Sequence, residues 1–204
     1  MVFSDLGVSL DGYVAGPNAG PDNNLGDGGH LIHKWQYEVE AWRERQGEKG
    51  GERNRDHELA EEKFERTGAY VMGRNMFDEG EVGWPDPPPF RAPVFVLTSR
   101  ARDPWEREGG TTFRFVTDGI EAAVEQARAA AGTKDVHVAG RASVVQQALE
   151  KGLLDEVQLH LAPVLLGEGV RLFNGVDQSD HAKLEIDRVV ESPLVTHLRY
   201  RVVR

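Results

Sequence analysis

The chain contains no cysteine. That absence excludes a disulfide scaffold, cysteine-ligated zinc, iron–sulfur clusters and thiol chemistry, and it fits a reducing compartment. No uncharged apolar stretch is long enough to span a bilayer, so no membrane partner is expected. Met1-Val2-Phe3-Ser4-Asp5 has no basic segment ahead of an apolar one, so no secretory leader is expected either. Basic residues are in deficit: 24 Lys and Arg against 34 Asp and Glu give a formal charge of −10, which argues against a nucleic-acid partner. The common dinucleotide motif Gly-x-Gly-x-x-Gly is missing after the first strand, because Gly16, Gly20, Gly26, Gly28 and Gly29 have the wrong spacing. Gly-x-Ser-x-Gly, His-Glu-x-x-His and Walker patterns are absent too. His30 and His33 find no third ligand at recognisable spacing, so no metal site is expected. What remains is a cytoplasmic protein of 204 residues, expected to form a single domain over 1–204.

Short apolar runs alternate with helical patterns, the mark of an α/β sheet. Strands are expected over residues 2–10, 69–72, 93–98, 112–117, 135–139, 156–163, 182–191 and 194–203. Runs 69–72, 94–97 and 136–139 are almost wholly apolar, as parallel strands covered on both faces require. The last two runs alternate and flank Ser192-Pro193, which predicts an antiparallel C-terminal hairpin. Ile120, Ala123, Val124, Ala127 and Ala131 share one face of a helix bounded by Asp118 and Gly132. Val144, Val145, Ala148 and Leu149 form the face of a second, ending at Gly152. A third spans 56–66, with Leu59, Ala60, Lys63 and Phe64 as its periodic set. A fourth is expected over 31–44, where Leu31, Trp35, Val39 and Trp42 recur. Residues 12–29 read as a long glycine-rich loop, and 47–55 as a mobile surface insertion.

Val136-His137-Val138-Ala139-Gly140-Arg141-Ala142-Ser143-Val144-Val145 carries the strongest functional signal. A strand that turns through glycine into a helix start leaves several backbone N–H groups unpaired at the positive end of a helix dipole. That is a seat for a phosphate. Two other strand ends carry similar residues: Met72-Gly73-Arg74-Asn75 and Leu97-Thr98-Ser99-Arg100. Ligands of open α/β sheets bind outside such ends. Arg74 and Arg100 with Ser99 can clamp a terminal phosphate, since guanidinium matches its oxygens. Each arginine taken singly also suits a plain surface turn; three at successive strand ends favour the phosphate seat. Trp35 and Trp84 either wall an aromatic substrate or simply pack the core. Asp56 is either an acid of the site or a helix cap. Glu61 and Glu62 read as a solvated face. Asp11 is either an acid at the pocket or a turn residue before Gly12.

The ordered set of motifs resembles the dihydrofolate-reductase-like superfamily, in the branch of the reductase domain of the riboflavin-biosynthesis deaminase/reductase. The residues that carry the likeness are Ser9-Leu10-Asp11-Gly12-Tyr13-Val14-Ala15-Gly16, Val71-Met72-Gly73-Arg74-Asn75-Met76-Phe77, residues 94–100, Ala139-Gly140, Leu153-Leu154-Asp155-Glu156 and Pro163-Val164-Leu165-Leu166-Gly167-Glu168-Gly169. The resemblance implies a mostly parallel central sheet flanked by helices, and NADPH lying across the strand ends. Gly73, Arg74 and Asn75 with Thr98, Ser99 and Arg100 would hold the adenosine and its 2′-phosphate. Gly140, Arg141, Ala142, Ser143 and Val144 would hold the pyrophosphate beside Ala139, where many relatives have a second glycine. Val14, Ala15 and Gly16 would border the nicotinamide. It further implies a reductase of a small heteroaromatic or carbonyl substrate, pterin- or pyrimidine-like, assembled as a homodimer through the apolar 159–166 region. The competing expectation is a nucleotide- or pterin-binding protein of the same fold without catalysis. A folate reductase proper is the third.

Overall fold

The computed structural model describes residues 1–174 and 183–203. In chain order its elements are β1 (Val2–Ser9), β2 (Tyr13–Ala15), α1 (Lys34–Glu38), α2 (Glu40–Arg45), α3 (Arg55–Arg66), β3 (Thr67–Gly73), α4 (Arg74–Gly80), β4 (Val94–Leu97), β5 (Trp105–Glu106), β6 (Thr112–Val116), α5 (Ile120–Ala131), β7 (Asp135–Val138), α6 (Ala142–Glu150), β8 (Glu156–Ala162), β9 (Val170–Arg171), β10 (Lys183–Glu191) and β11 (Thr196–Val203). Nine strands form one sheet in the order β10-β11-β8-β1-β7-β3-β4-β6-β5, and β2 pairs with β9 apart from it. From β8 to β6 the pairing is parallel throughout. The C-terminal hairpin β10–β11 and short β5 close the two edges antiparallel. The fold is therefore a mostly parallel central sheet flanked by helices, with a C-terminal antiparallel hairpin, the architecture expected from the sequence. Among the described residues no helix is long and apolar enough to cross a membrane.

The two faces of the sheet differ. Val2, Leu6, Val8, Val71, Val136, Val138 and Val157 meet α5 and α6 in an apolar core. The opposite face of β1 and β8 carries Asp5, whose side chain is 4% exposed, and the buried Glu156, Gln158 and His160. Buried charges must be paired, because an isolated one costs several kcal/mol. That face therefore carries ion pairs: Lys63 of α3 reaches Asp5 at 3.0 Å, and Arg66 reaches Glu156 at 2.7 Å.

Several expectations are corrected. The helix over 31–44 is broken: a 3-10 turn at Gly29–His33 leads into α1, and Val39 stands extended (φ −90°, ψ 140°) before α2. The cause is pairing with the 47–55 segment. The Glu40 N–H donates to the Glu52 carbonyl (3.1 Å) and the Glu52 N–H to that of Glu38 (2.8 Å), so the segment is docked. Asn54, not Asp56, caps α3, its side chain accepting from the Asp56 and His57 N–H groups. Gly119, not Asp118, precedes α5, and Gly132 ends it in the left-handed region at φ 62°. The 12–29 loop is folded on itself: the Gly16 N–H donates to the Leu25 carbonyl (2.8 Å), and a Cβ at Gly16 would stand 1.9 Å from the Asp27 carbonyl oxygen. Helix α4 and the short strands β2, β5 and β9 are additional to the expected elements. Ala182, in the run 182–191, lies outside the described residues.

Candidate active site

Six parallel strands put their C-terminal ends on one rim, and the three strand ends singled out above all lie there. At the centre β3 and β7 are neighbours, so Gly73 and Gly140 face one another. A Cβ on Gly73 would come within 2.8 Å of Val144, and Gly140 has φ 118°, which only glycine adopts freely. Both positions keep the floor of the rim at backbone level. Helix α6 starts beside them with Arg141 at its N-cap and no side-chain hydrogen bond to its first turn. The first N–H groups of a nine-residue helix thus remain available beside two bare backbones.

The arginines converge on α4. Arg74 Nε donates to Asp78 Oδ1 at 2.6 Å, Arg100 Nη2 to Asp78 Oδ2 at 3.2 Å, and Arg141 Nη2 to Glu79 Oε2 at 2.7 Å. Arg141 also donates to the Asn24 carbonyl of the 12–29 loop. Two adjacent acids therefore gather three arginines from three strand ends. Burial pushes the Glu79 carboxyl up, and Arg141 opposes that push. Thr98 Oγ1 accepts from the Arg100 N–H at 3.1 Å, shaping the turn, while Ser99 and Asn75 are exposed. Asp78 and Glu79 are not among the expected site residues; the i,i+4 spacing of Arg74 and Asp78 is the sequence signal that points to the first of them.

Other expected site residues lie elsewhere or are engaged. Val14 packs in the apolar core, Ala15 is buried, and Gly16 lies against Asp27 of its own loop. Trp35 is 2% exposed and packs on His160 (ring centroids 4.6 Å apart) and His197 (5.0 Å). Trp84 stacks on Phe113 of β6 and meets Phe77 of α4. Four strands separate β8 from β6, roughly 24 Å at ordinary strand spacing, so the two tryptophans cannot wall one ligand. Asp11 is an anchor: its carboxylate accepts from Ser9 Oγ (2.6 Å) and from the Leu166 (3.2 Å) and Gly167 (2.7 Å) N–H groups. The Ser9 hydroxyl above all, then these amides, lower it to about 2, so near neutrality it has no proton to give. Asp56 is buried, and it accepts from His197 Nε2 at 2.8 Å and Ser192 Oγ at 3.0 Å.

Residues 1–197 match the family model of the RibD C-terminal domain. The Bacillus subtilis (strain 168) protein YyaP, named as uncharacterized, is 36% identical over 194 residues, which are 95% of this chain and 91% of YyaP. A Shewanella sp. PV-4 protein named for riboflavin biosynthesis superposes with a TM-score of 0.64 at 23% identity, covering 100% of this chain and 99% of its own. Dihydrofolate reductase from Enterococcus faecalis, solved with NADP(H), superposes at 0.54 with 15% identity, covering 99% and 96%. At those identities the two solved structures speak for the fold alone.

Proposed function

The chain belongs to the RibD C-terminal domain family, and on that premise we propose that it is an NADPH-dependent reductase of a small heteroaromatic or carbonyl compound, pterin- or pyrimidine-like. The observation that carries this is the rim: two bare glycine backbones, the open first turn of α6 and three arginines gathered on Asp78 and Glu79. The residues fit a dinucleotide. Gly73, Gly140 and the α6 N-terminus, with Arg141, Ala142 and Ser143, would hold the pyrophosphate. Arg74 and Arg100, with Ser99, would hold the 2′-phosphate in exchange for the Asp78 carboxylate. The Arg100 side of that contact is 67% exposed, and a surface ion pair is worth only ~0–1 kcal/mol, so releasing it costs little. Bound there, the cofactor supplies the hydride. The protein orients it, keeps water out and provides the accompanying proton. Asp11 fixes the loop at 166–167, and Asp56 is the acid left to serve the reaction. Assembly as a homodimer belongs to the same proposal, with exposed Leu165 in the contact, and sedimentation velocity checks it.

NADPH at a hundredfold over its dissociation constant should stabilise the protein by about 2.7 kcal/mol, read as a thermal shift. No shift with NADPH, NADH or any other nucleotide would discard the proposal. Arg74→Ala should weaken NADPH by about 1.5–3 kcal/mol, the worth of a hydrogen bond to a charged group, and leave NADH nearly unchanged. Fluorescence titration measures both, and equal losses would place the 2′-phosphate elsewhere. Binding without turnover is the second reading, favoured by the engaged state of Asp11. Oxidation of NADPH with any member of a pterin, pyrimidine, flavin and quinone panel would exclude it, and turnover of dihydrofolate would identify a folate reductase.

A further inference from the structure

Residues 16–27 fold into a compact loop whose ends nearly touch. The Gly16 N–H donates to the Leu25 carbonyl at 2.8 Å, and the Asp27 N–H to the Pro17 carbonyl at 2.8 Å. The Asp27 carboxylate ties the interior, accepting from Asn18 Nδ2 at 2.7 Å and from Asn23 Nδ2 at 2.9 Å. A loop packed by its own side chains in this way can swing as one piece. Its base is held by the pairing of β2 with β9 and by Tyr13, whose hydroxyl donates to the Gly167 carbonyl at 3.0 Å.

One side chain holds the loop elsewhere. Arg141, at the N-cap of α6, donates from Nη2 to the Asn24 carbonyl of this loop and to Glu79 Oε2 of α4, the latter at 2.7 Å. Among the described residues no other hydrogen bond or ion pair joins residues 17–27 to β3, α4, β7 or α6. The tie is made beside Gly140 and the open first turn of α6, where a pyrophosphate would sit.

A guanidinium has two edges that grip a phosphate through paired N–H groups, Nε with Nη2 and Nη1 with Nη2. Both edges include Nη2, and both hydrogens of Nη2 are engaged here. A phosphate that takes either edge must therefore displace one acceptor. The Glu79 carboxylate carries charge and its side chain is only 9% exposed, whereas the Asn24 carbonyl is neutral and belongs to an exposed residue. Hydrogen bonds with charge on both partners are the stronger, and a carbonyl released at the surface bonds to water instead. The carbonyl yields first.

We propose that Arg141 is a latch: with the seat empty it holds the 16–27 loop beside α6, and the pyrophosphate of a bound dinucleotide frees the loop by taking the N–H group now given to Asn24. The inference rests on the reductase proposal for the identity of the ligand, but not for the latch itself. No covalent bond changes; one neutral acceptor is exchanged for an anionic one. The loop follows β1 and β2 at the rim, so occupation of the seat is linked to movement of a segment that borders it. The sign is opposite to that of a lid. Here the diphosphate loosens the loop, where a lid would close on it.

The chain has no cysteine, so two introduced ones can carry spin labels: Asp22→Cys in the loop and Glu150→Cys at the far end of α6, both at exposed positions outside the seat. Pulsed electron resonance on the otherwise intact protein then reads the distance from loop to helix. One narrow distribution is expected without ligand. Saturating ADP, which carries a diphosphate without the nicotinamide, should add a longer and broader population. Arg141→Ala should show that population with no ligand present. Combining it with Glu79→Gln gives a second variant that leaves no carboxylate unpaired. A distribution that stays narrow in both variants would overturn the latch. A distance that is unchanged or shortened when ADP binds would overturn the release, as would calorimetry showing that ADP does not bind. Failure of NADPH to bind as well would count against the reductase proposal, and the ligand-free variants would still decide the latch.

Discussion

Replacing Lys63 with methionine is expected to cost about 3–5 kcal/mol, the usual penalty for stripping a buried charge of its partner. Lys63 and Asp5 are 8% and 4% exposed and meet at 3.0 Å, so water cannot take the place of the ammonium group. Burial pulls the Asp5 carboxyl up, but His160 and then Lys63 hold it well below the usual carboxylate range. Without Lys63 the carboxylate stays in the core with too little positive charge around it. Urea unfolding should show a lower midpoint with an unchanged slope. Adding Asp5→Asn should recover part of the loss, because the amide brings no charge to compensate. A double variant as unstable as the single one would mean that the Lys63 stem, not its charge, is what the fold needs.

Acid should destabilise the protein well before its carboxylates titrate. His137 is buried, stacks on Phe3 with ring centroids 4.8 Å apart, and neither ring nitrogen has a hydrogen-bond partner among the described residues. Burial lowers it to about 4, from an unfolded value near 6.5. Between those values the unfolded chain binds a proton that the folded protein refuses, so stability falls as pH drops from about 6.5 to 4. Below the folded value this contribution falls no further. The shift corresponds to a loss on the order of 3 kcal/mol. His137→Phe keeps the stacking partner and removes the titration, so its stability over the same window should fall by that much less. Chemical unfolding at a series of pH values checks this, and identical slopes in the two proteins would refute it.

Legibility followed the kind of force at work. The apolar runs of β3, β4 and β7 and the face Ile120, Ala123, Val124, Ala127, Ala131 were readable because burial imposes its period directly on composition. The break at Val39 was not readable: it follows from a backbone pairing with Glu52, thirteen residues on, that no local pattern announces. The three strand ends were visible as Gly and Arg after apolar runs, and the parallel sheet does bring them to one rim. Their acids, Asp78 and Glu79, were hidden in a seven-residue helix too short to show a period. The polar face of β8 was in plain view as Glu156, Gln158 and His160 alternating with Val157, Leu159 and Leu161. Its meaning depends on β11 bringing His197 opposite His160, a pairing across 37 residues.

The Asp78–Glu79 collar has a consequence for selectivity. A cluster of bare guanidinium groups would collect chloride, phosphate and any passing nucleotide from solution. Here each cation already has a resident neighbour, so a newcomer gains only by outcompeting a tethered carboxylate. Small free anions have little with which to do so. A long ligand that also seats its remaining groups along the glycine floor does, and the collar thereby turns simple charge attraction into a demand for length and shape.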